Sequence, residues 1–267
     1  MHPNNQNPPT HMKLSKIKQA FLLSIILFTT SFTLSAQERS RYVVNDDIQL
    51  YKIHDSVYLH LTWDTLGNFG RFSSNGIVLI KNGEALMIDT PMDNAKTKIL
   101  VNFIKDTLNA NVKVLLIGHY HDDCLGGLKH LQDLKVESIA NIRTAAKCKE
   151  LGLPKPSVTF DKSLELNFNG ETIVCDYFGG GHTPDNITIW IQSRKILFGG
   201  CLVKSLDSKN LGNIEDAVIS DWAETVSKLK ESYQSALIVV PGHGRIGGAE
   251  LLTHTIELAT AAKNSDN

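Results

Sequence analysis

The chain has 267 residues, of which 42% are apolar and 21% are charged, and its formal net charge is −1 at pH 7. This composition is typical of a globular protein with a sizeable core and argues against a disordered chain. The small net charge, without a dense run of Lys and Arg between aromatic residues, argues against a nucleic-acid partner.

The N-terminal segment has the layout of a secretory signal peptide. Residues 12–36 begin with three lysines, continue with an apolar stretch and end in Leu34-Ser35-Ala36, a small-residue cleavage site. A membrane anchor is the alternative, but the stretch contains Ser and Thr and is short for a full span. The residues before Met12 are unusual for an export signal, so Met12 competes with Met1 as the start.

We therefore predict that residues 1–36 are an N-terminal extension and signal peptide, and that the mature chain works in the periplasm. The cleavage point carries no cysteine, so we expect no lipid anchor and no stable membrane association. Cleavage removes three lysines and no acidic residue, which changes the net charge from −1 to −4.

The first part of the mature chain reads as strands. Apolar alternation and β-branched runs bounded by Gly and Asn favour this interpretation. The runs are IQLYKI, SVYLHLTW, NGIVLIKNG and EALMIDT. Lys81-Asn82-Gly83 is a hairpin signal between the last two. We expect residues 64–75, which carry Phe69 and Phe72, to form a longer, flexible link.

Helical and strand patterns then alternate to the end of the chain. The spacing of Ile99, Phe103, Ile104 and Leu108 predicts one apolar face of a helix. Later runs such as VKVLLIG, ETIVCDYFGGG, NITIWIQ and ALIVVPGHG read as strands, and the segments near residues 142–152, 221–234 and 249–263 as helices. The pattern predicts a mixed α/β protein whose sheets are covered by helices.

Four apolar runs end in glycine, followed by residue types that bind metals. They lead to His119, His121 and Asp123, to His182, to Cys201 and to His243. Sites in layered α/β folds are built at the ends of strands, and glycine allows close backbone approach there. Imidazole, thiolate and carboxylate are the usual ligands of zinc. Six donors suffice for two ions with three protein ligands each, which leaves each ion an open position, as in catalytic sites.

These motifs resemble those of the metallo-β-lactamase family, class B, in its di-zinc subclass. The matching elements are HYHDD at residues 119–123, GGGHTPDN at 179–186, GGCLVK at 199–204, LGNIEDA at 211–217 and VPGHG at 240–244. MIDTP at 87–91 matches as well and places Asp89 as a buried acid near the site. The resemblance covers essentially the whole mature chain, residues 37–267, as one catalytic domain.

The resemblance implies a fold and a set of metal ligands. The fold is α/β, an αβ/βα four-layer sandwich of two mixed β-sheets with helices outside. One Zn2+ ion takes His119, His121 and His182, and the other takes Asp123, Cys201 and His243. The intact His119 differs from the mono-zinc subclass, and Cys201 differs from the subclass without a cysteine ligand.

The implied activity is zinc-dependent hydrolysis of the β-lactam ring of penicillins, cephalosporins and carbapenems by a metal-bound hydroxide, conferring antibiotic resistance. Asp123 and Asn213 are the catalytic candidates. Lys204 would bind the substrate carboxylate, and Asn213 would donate a hydrogen bond to the lactam carbonyl or serve only as a turn residue. The link at residues 64–75 corresponds to the family's mobile flap. The partner is a small-molecule β-lactam, and we expect a monomer.

The cysteines leave several interpretations open. Most relatives have an arginine after the aspartate, where this chain has Cys124. Its thiol would lie behind the ligands, compete for zinc, or oxidise with Cys201. Cys148 and Cys175 read as buried apolar residues, with a disulfide between them as the alternative.

Two other functions remain open from the sequence. A related hydrolase of thioesters or lactones would carry a histidine directly after the aspartate, where this chain has Cys124. A non-catalytic periplasmic zinc-binding protein would fit four ligands per ion better than three. The G-x-S-x-G serine nucleophile motif does not occur in the sequence.

Overall fold

A computed structural model describes Met1, residues 40–67 and residues 70–265 of the chain. The predicted signal peptide and the domain boundary at residue 37 lie outside these residues. Thirteen strands form two sheets in this part of the chain. The strands are β1 (Arg41–Asn45), β2 (Ile48–His54), β3 (Val57–Leu66), β4 (Gly70–Lys81), β5 (Glu84–Ile88), β6 (Asn111–Leu116), β7 (Glu137–Asn141), β8 (Val158–Phe160), β9 (Ser163–Phe168), β10 (Glu171–Asp176), β11 (Thr188–Ile191), β12 (Ile196–Gly200) and β13 (Ile238–Pro241).

Six α-helices accompany these strands. They are α1 (Asn94–Asp106), α2 (Asp122–Leu125), α3 (Leu128–Asp133), α4 (Ile142–Leu151), α5 (Ile219–Ser232) and α6 (Glu250–Ser265). Asp93 caps α1 by accepting a hydrogen bond from the backbone of Lys96. Within the described residues, no helix is long and apolar enough to cross a membrane.

The first sheet contains β1 to β8 in chain order, and the second has the order β13-β12-β11-β10-β9. The first sheet is antiparallel from β1 to β5 and parallel from β5 to β8. The second sheet is antiparallel except for the parallel pair β12 and β13. The two mixed sheets confirm the predicted sheet class.

Three apolar cores stack through the molecule and define four layers. Alternate residues of β4 point to opposite sides, so Val78 packs towards α1 and α4 while Leu79 packs towards the second sheet. The middle core joins the two sheets. The third core packs Trp222 of α5 and Leu252 of α6 against the outer face of the second sheet, at Leu197. This αβ/βα arrangement confirms the predicted sandwich.

Two local predictions were wrong. Residues 64–67 and 70–75 do not form the predicted link, because β3 extends to Leu66, β4 begins at Gly70 and the two strands pair as far as these residues. The mobility of this segment stays a prediction. Ile99 is 40% exposed and does not lie on the buried face of α1, which consists of Thr97, Leu100, Val101 and Ile104. The other predicted residues lie on the core side: Ile104 is buried, and Phe103 and Leu108 are partly buried against the same core. Phe69 lies outside the described residues.

The predicted alternatives for the cysteines are also resolved. All four cysteines are free and buried. Cys148 packs in the core under α4, whereas Cys175 packs in the core between the sheets. The first sheet separates these two cores, so the disulfide considered between the two residues is not present.

A buried histidine lies inside the first sheet, in the pair formed by β3 and β4. His60 of β3 pairs with Gly76 of β4 and is 1% exposed. A Cβ atom on Gly76 would lie 2.0 Å from His60 Nε2, so only glycine leaves room for the ring. Burial lowers the pKa of His60 to about 4, against a smaller opposing effect of the backbone at Asp89 and Ile88.

This histidine predicts an acid sensitivity of the fold. Between pH 6.5 and about pH 4, His60 is protonated in the unfolded chain but neutral in the folded chain. The free energy of unfolding therefore decreases as the pH is lowered through this range. When the pH is lowered from 7 to 5, His60 should decrease the free energy of unfolding by about 2 kcal/mol. Urea unfolding of the chelator-treated protein and of His60→Gln at both pH values measures this loss. Equal losses in the two proteins would contradict the prediction.

Candidate metal centre

The predicted donors come together at one edge of the sandwich. Each of three donors follows a strand end closely: His119 follows β6, Cys201 follows β12 and His243 follows β13. His182 lies on the longer loop between β10 and β11. His121 and Asp123 stand at the start of α2, so one short segment after β6 supplies three donors. The site therefore contains ligands from both sheets.

The first predicted set is compact. The distance from His119 Nε2 to His121 Nδ1 is 3.0 Å, and that from His182 Nε2 to His121 Nδ1 is 3.2 Å. One ring nitrogen from each residue lies within 4.8 Å of the other two. His119 and His182 are buried and His121 is half-buried. Three imidazoles thus direct nitrogen atoms towards one point.

The second predicted set lies beside it. Cys201 Sγ is 3.5 Å from Asp123 Oδ2 and 3.4 Å from His243 Nε2, and the last two atoms are 3.3 Å apart. Asp123 Oδ1 is also 3.9 Å from His119 Nε2. Asp123 therefore stands between the two sets, and His119, Asp123 and Cys201 also form a compact group.

Gly242, which precedes His243, leaves room for the thiol of Cys201. A Cβ atom on Gly242 would lie 2.3 Å from Cys201 Sγ. The backbone before His243 therefore passes directly against the thiol, which only glycine permits. This close approach explains the Pro-Gly-His sequence at the end of β13.

Contacts behind the donors fix which nitrogen of each imidazole faces the centre. His121 Nε2 lies 3.0 Å from Asp216 Oδ2, and His243 Nδ1 donates to the carbonyl of Ser73 at 2.8 Å. When one ring nitrogen carries the proton and donates a hydrogen bond, the lone pair of the other nitrogen is free to bind a metal. The carboxylate and the carbonyl thus select the nitrogens that face the site.

Cys124 lies behind the predicted ligands, as the first of its three interpretations has it, while competition for zinc and oxidation with Cys201 stay predictions. Its Sγ atom lies 3.1 Å from both His119 Nδ1 and Asp89 Oδ2. Asp89 is 2% exposed, as expected of the buried acid, and its Oδ1 accepts a hydrogen bond of 2.6 Å from the backbone of Gly118. The pKa of Asp89 is raised, chiefly by burial. Cys124 thus links this acid to His119.

The protonation states of four predicted donors suit metal binding, whereas a metal ion would displace a proton from His243, whose pKa burial lowers but Cys201 and Asp123 raise well above its ordinary value. Burial lowers the pKa of His119 to about 3 and that of His182 well below its ordinary value, so both rings are neutral at pH 7. The Cys124 thiol and the nearby His243 lower the pKa of Cys201 below its ordinary value, against its burial and the charge of Asp123. Burial would raise the pKa of Asp123, but its hydrogen bond with His243 holds it well below its ordinary value. Metals bind neutral imidazole, thiolate and carboxylate.

The donor geometry fits a cation. Zinc bonds of 2.0–2.3 Å in a tetrahedral site place ligand atoms about 3.3–3.8 Å apart. The donor contacts of 3.0–3.5 Å in both sets are close to this range. Asp123 and Cys201 also bring two anionic groups together at 3.5 Å, which a cation between them would stabilise. The residues present therefore fit metal ions in both sets, although their roles as ligands remain a prediction.

The contact between His121 and Asp216 predicts an effect on metal affinity. Asp216→Ala removes the acceptor that holds the imidazole, and the metal affinity of the three-histidine set should fall by about 10–100-fold. Asp216→Asn keeps an acceptor oxygen and should lose less. Competition with a chromophoric chelator measures both affinities. Equal affinities of Asp216→Ala and the unmodified protein would show that the carboxylate does not orient His121.

The two sets form part of the wall of a cavity of about 680 Å³. Apolar and polar side chains share its lining. They include Leu66, Phe72, Met92, His121, Asp123, His182, Val203, Lys204, Leu211, Asn213 and His243. The volume is that of a small-molecule site. A small ligand in the cavity would contact both donor sets.

Lys204 is placed as a recognition residue would be. It is 8% exposed and lines the cavity, with its Nζ 5.1 Å from the centre of the Trp222 ring. Burial lowers its pKa, and the anionic Cys201 and Asp123 oppose this effect. Among the described residues, no carboxylate forms an ion pair with its ammonium group. An anionic group of a ligand would complete its environment.

Asn213 also lines the cavity, but its side chain has a local contact. The residue is exposed, and its Oδ1 accepts a hydrogen bond of 3.2 Å from the backbone of Glu215. This is the turn role that the sequence left open. The role of its amide towards a substrate stays a prediction.

Sequence reasoning did not identify Asp216 or Ser73 as parts of the site. Asp216 lies 95 residues from His121 in the sequence. It belongs to the LGNIEDA motif at residues 211–217, in which only Asn213 received a predicted role. Ser73 contributes its backbone carbonyl, and every residue has such a group, so its residue type gives no signal in the sequence. Only the tertiary structure identifies these contacts.

Comparisons with known proteins agree with this geometry. Residues 69–243 match the family model described as the metallo-beta-lactamase superfamily. A metallo-beta-lactamase type 2 of Bacteroides fragilis is 40% identical over 233 residues, which cover 87% of this chain and 94% of the relative. A crystal structure of the DIM-1 metallo-beta-lactamase exposed to ceftazidime is 36% identical, with a TM-score of 0.77 and coverage of 81% of this chain and 98% of that one.

A second solved structure has a similar fold. The metallo-beta-lactamase FIM-1 from Pseudomonas aeruginosa, solved in its mono-zinc form, is 27% identical, with a TM-score of 0.76. It covers 82% of this chain and 99% of that one. The extent of these similarities, together with the two donor sets, shows that the chain belongs to the metallo-beta-lactamase superfamily.

Proposed function

We propose that this protein is a zinc-dependent β-lactamase, which hydrolyses the amide of the β-lactam ring in penicillins, cephalosporins and carbapenems and thereby confers antibiotic resistance. The observation that carries the proposal is the pair of donor sets in the wall of the cavity that also contains Lys204. The curated relative at 40% identity is named a metallo-beta-lactamase. That name favours β-lactams over the thioesters or lactones considered as alternatives.

We propose two Zn2+ ions per chain, one for each set of three donors. Bound zinc ions supply Lewis acidity and activate water at neutral pH. His119, His121 and His182 would hold one ion, and Asp123, Cys201 and His243 the other. With three protein ligands in each set, a bound ion would keep a coordination position for the substrate.

The residues of the chain would orient the substrate around these ions. Lys204 would bind the carboxylate of the β-lactam, which fixes the position of the ring. The Asn213 amide would donate to the lactam carbonyl. Asp216 and Ser73 would hold the imidazoles of His121 and His243, and Leu66, Phe72 and Met92 would cover apolar substituents. In this arrangement the fold positions the ligands and the substrate before reaction.

The deciding experiment is turnover of a chromogenic cephalosporin and a carbapenem by the chain beginning at Gln37. Measurements are made with zinc, with a chelator, and after zinc is restored. Loss of turnover with the chelator and its recovery with zinc are expected. No turnover by protein shown to contain two zinc ions would refute the proposal, and thioester and lactone substrates would then be compared.

We also propose that the protein is exported to the periplasm as a monomer. The signal layout of residues 1–36 and the absence of a cysteine at the cleavage point support export without an anchor. Expression of the full chain in a Gram-negative host should give a periplasmic product whose N-terminus is Gln37. Sedimentation of this product measures its oligomeric state. A cytoplasmic product that retains residues 1–36 would contradict the export proposal.

A further inference from the structure

The β3–β4 hairpin extends beyond the sheet that supports it. Ile48 and Thr62 are the last pair between β2 and β3 in this direction, whereas β3 continues to pair with β4 as far as Leu66 and Gly70. We call residues 63–66 and 70–73 the outer ribbon. A two-stranded ribbon has marginal stability on its own, so its position depends on contacts with other elements.

Lys96 of α1 supplies the least exposed of the charged contacts that hold the ribbon. Its Nζ donates to the Trp63 carbonyl at 2.6 Å and to the Asp64 carboxylate, and lies 3.7 Å from Asp47 Oδ2. The side chain of Lys96 is 19% exposed and that of Asp64 is 15% exposed. Charge-assisted contacts at this burial are stronger than ion pairs at the surface.

The other strand of the ribbon has a more exposed attachment. Arg71 donates to the Asp46 carbonyl and pairs with Asp47, each at 2.9 Å, but its side chain is 52% exposed. Solvent screens such a pair, so it contributes less to the position of the ribbon. Lys96 is therefore the main charged anchor of the ribbon.

The anchored ribbon meets the cavity at two places. Leu66 and Phe72 line the cavity, and the Ser73 carbonyl accepts the hydrogen bond from His243 Nδ1. Met92, just before α1, lines the cavity as well. Lys96 thus connects α1, which begins just after Met92 of the cavity wall, to the ribbon, which supplies Leu66 and Phe72 to the same wall.

We propose that Lys96 is a positioning residue that holds the outer ribbon over the cavity and thereby sets the affinity for substrates with bulky apolar substituents. Lys96 itself does not line the cavity, so its effect is transmitted by the ribbon. The kinetic part of this proposal rests on the proposed function, whereas the position of the ribbon can be tested without any turnover.

The first test is limited trypsin digestion of the complete mature protein, followed by mass spectrometry. Cleavage after Arg71 requires β4 to separate locally from β3, and loss of the contacts that hold the ribbon should make this opening more frequent. Loss of a partly buried charged contact should accelerate this cleavage by about tenfold in Lys96→Met. Lys98→Met is the matched control, because Lys98 is exposed on the same helix. Asp64→Asn removes the partner instead of the lysine and should accelerate the same cleavage.

Two results would overturn the anchoring role. One is cleavage after Arg71 at the same rate in Lys96→Met and Lys98→Met. The other is acceleration at all trypsin sites in both Lys96→Met and Asp64→Asn, which would show a general loss of stability. Selective cleavage after Arg71 supports the proposal whether or not the protein hydrolyses β-lactams.

The second test compares a β-lactam with a bulky apolar substituent and one with a small substituent. In Lys96→Met, KM for the bulky substrate should rise about tenfold with little change in kcat, and the small substrate should be nearly unaffected. Equal effects on both substrates would overturn the substrate-specific role. If the unmodified protein hydrolyses neither substrate, the proposed function fails, while the digestion still decides whether Lys96 anchors the ribbon.

Discussion

Cys201→Ala is expected to lower the zinc content from two ions to one per chain and to reduce kcat/KM by about three orders of magnitude. The substitution removes the thiolate that lies 3.4–3.5 Å from Asp123 and His243. The remaining carboxylate and imidazole provide only two donors, too few for a stable zinc site. Metal analysis after dialysis and steady-state kinetics measure the two effects.

Cys148→Ala is the matched control for this substitution. Cys148 is also a free, buried thiol, but it packs under α4 and away from the donors. It should keep both zinc ions and nearly all activity, with at most a modest loss of stability. Two bound zinc ions and full turnover in Cys201→Ala would exclude Cys201 as a ligand.

The ligand pattern could be predicted from the sequence because its signal is local. A strand, a glycine and a donor follow one another within a few residues, and strand ends in layered folds gather at common edges. The pattern identified all six donors that the structure brings together. It did not define the four-layer topology, which followed from the resemblance to a known family. Sheet order depends on pairings between distant segments that no local period specifies.

The errors arose where tertiary contacts override local signals. Gly, Asn and Ser between residues 64 and 75 are typical of a link, but β3 and β4 pair through most of this segment. Apolar spacing placed Ile99 on the inner face of α1, whereas Leu100 occupies that face. Packing against the sheet determines the helix rotation, and polar Thr97 belongs to the buried side as well.

The supporting contacts could not be predicted for a related reason. Lys96 and Asp64 are ordinary polar residues in the sequence, 32 positions apart, and their meeting depends on the direction in which the hairpin leaves the sheet. Asp216 meets His121 only because the loop before α5 returns to the site. Such contacts determine how firmly the predicted ligands are held, so the residues that tune a site are less visible in a sequence than the ligands themselves.

Lys204→Met is expected to reduce kcat/KM for β-lactams by about 100-fold, mainly through a higher KM. Lys204 as a residue is 8% exposed, and its ammonium group has no carboxylate partner among the described residues, so the substrate carboxylate is the group that would pair with it. Methionine keeps the aliphatic chain beside Trp222 and removes only the charge. Lys204→Arg keeps the charge and should retain part of the affinity.

A substrate without the negative charge separates recognition from structure. The unmodified protein should hydrolyse a β-lactam methyl ester about as inefficiently as Lys204→Met hydrolyses the free acid. The ester should distinguish little between the two proteins, because neither can form the ion pair with it. A 100-fold loss on both the acid and the ester would instead indicate that Lys204 acts through its contact with Trp222 and the fold around His182. Selective loss on the acid would assign Lys204 to the substrate carboxylate, because only that interaction disappears with either the cation or the anion.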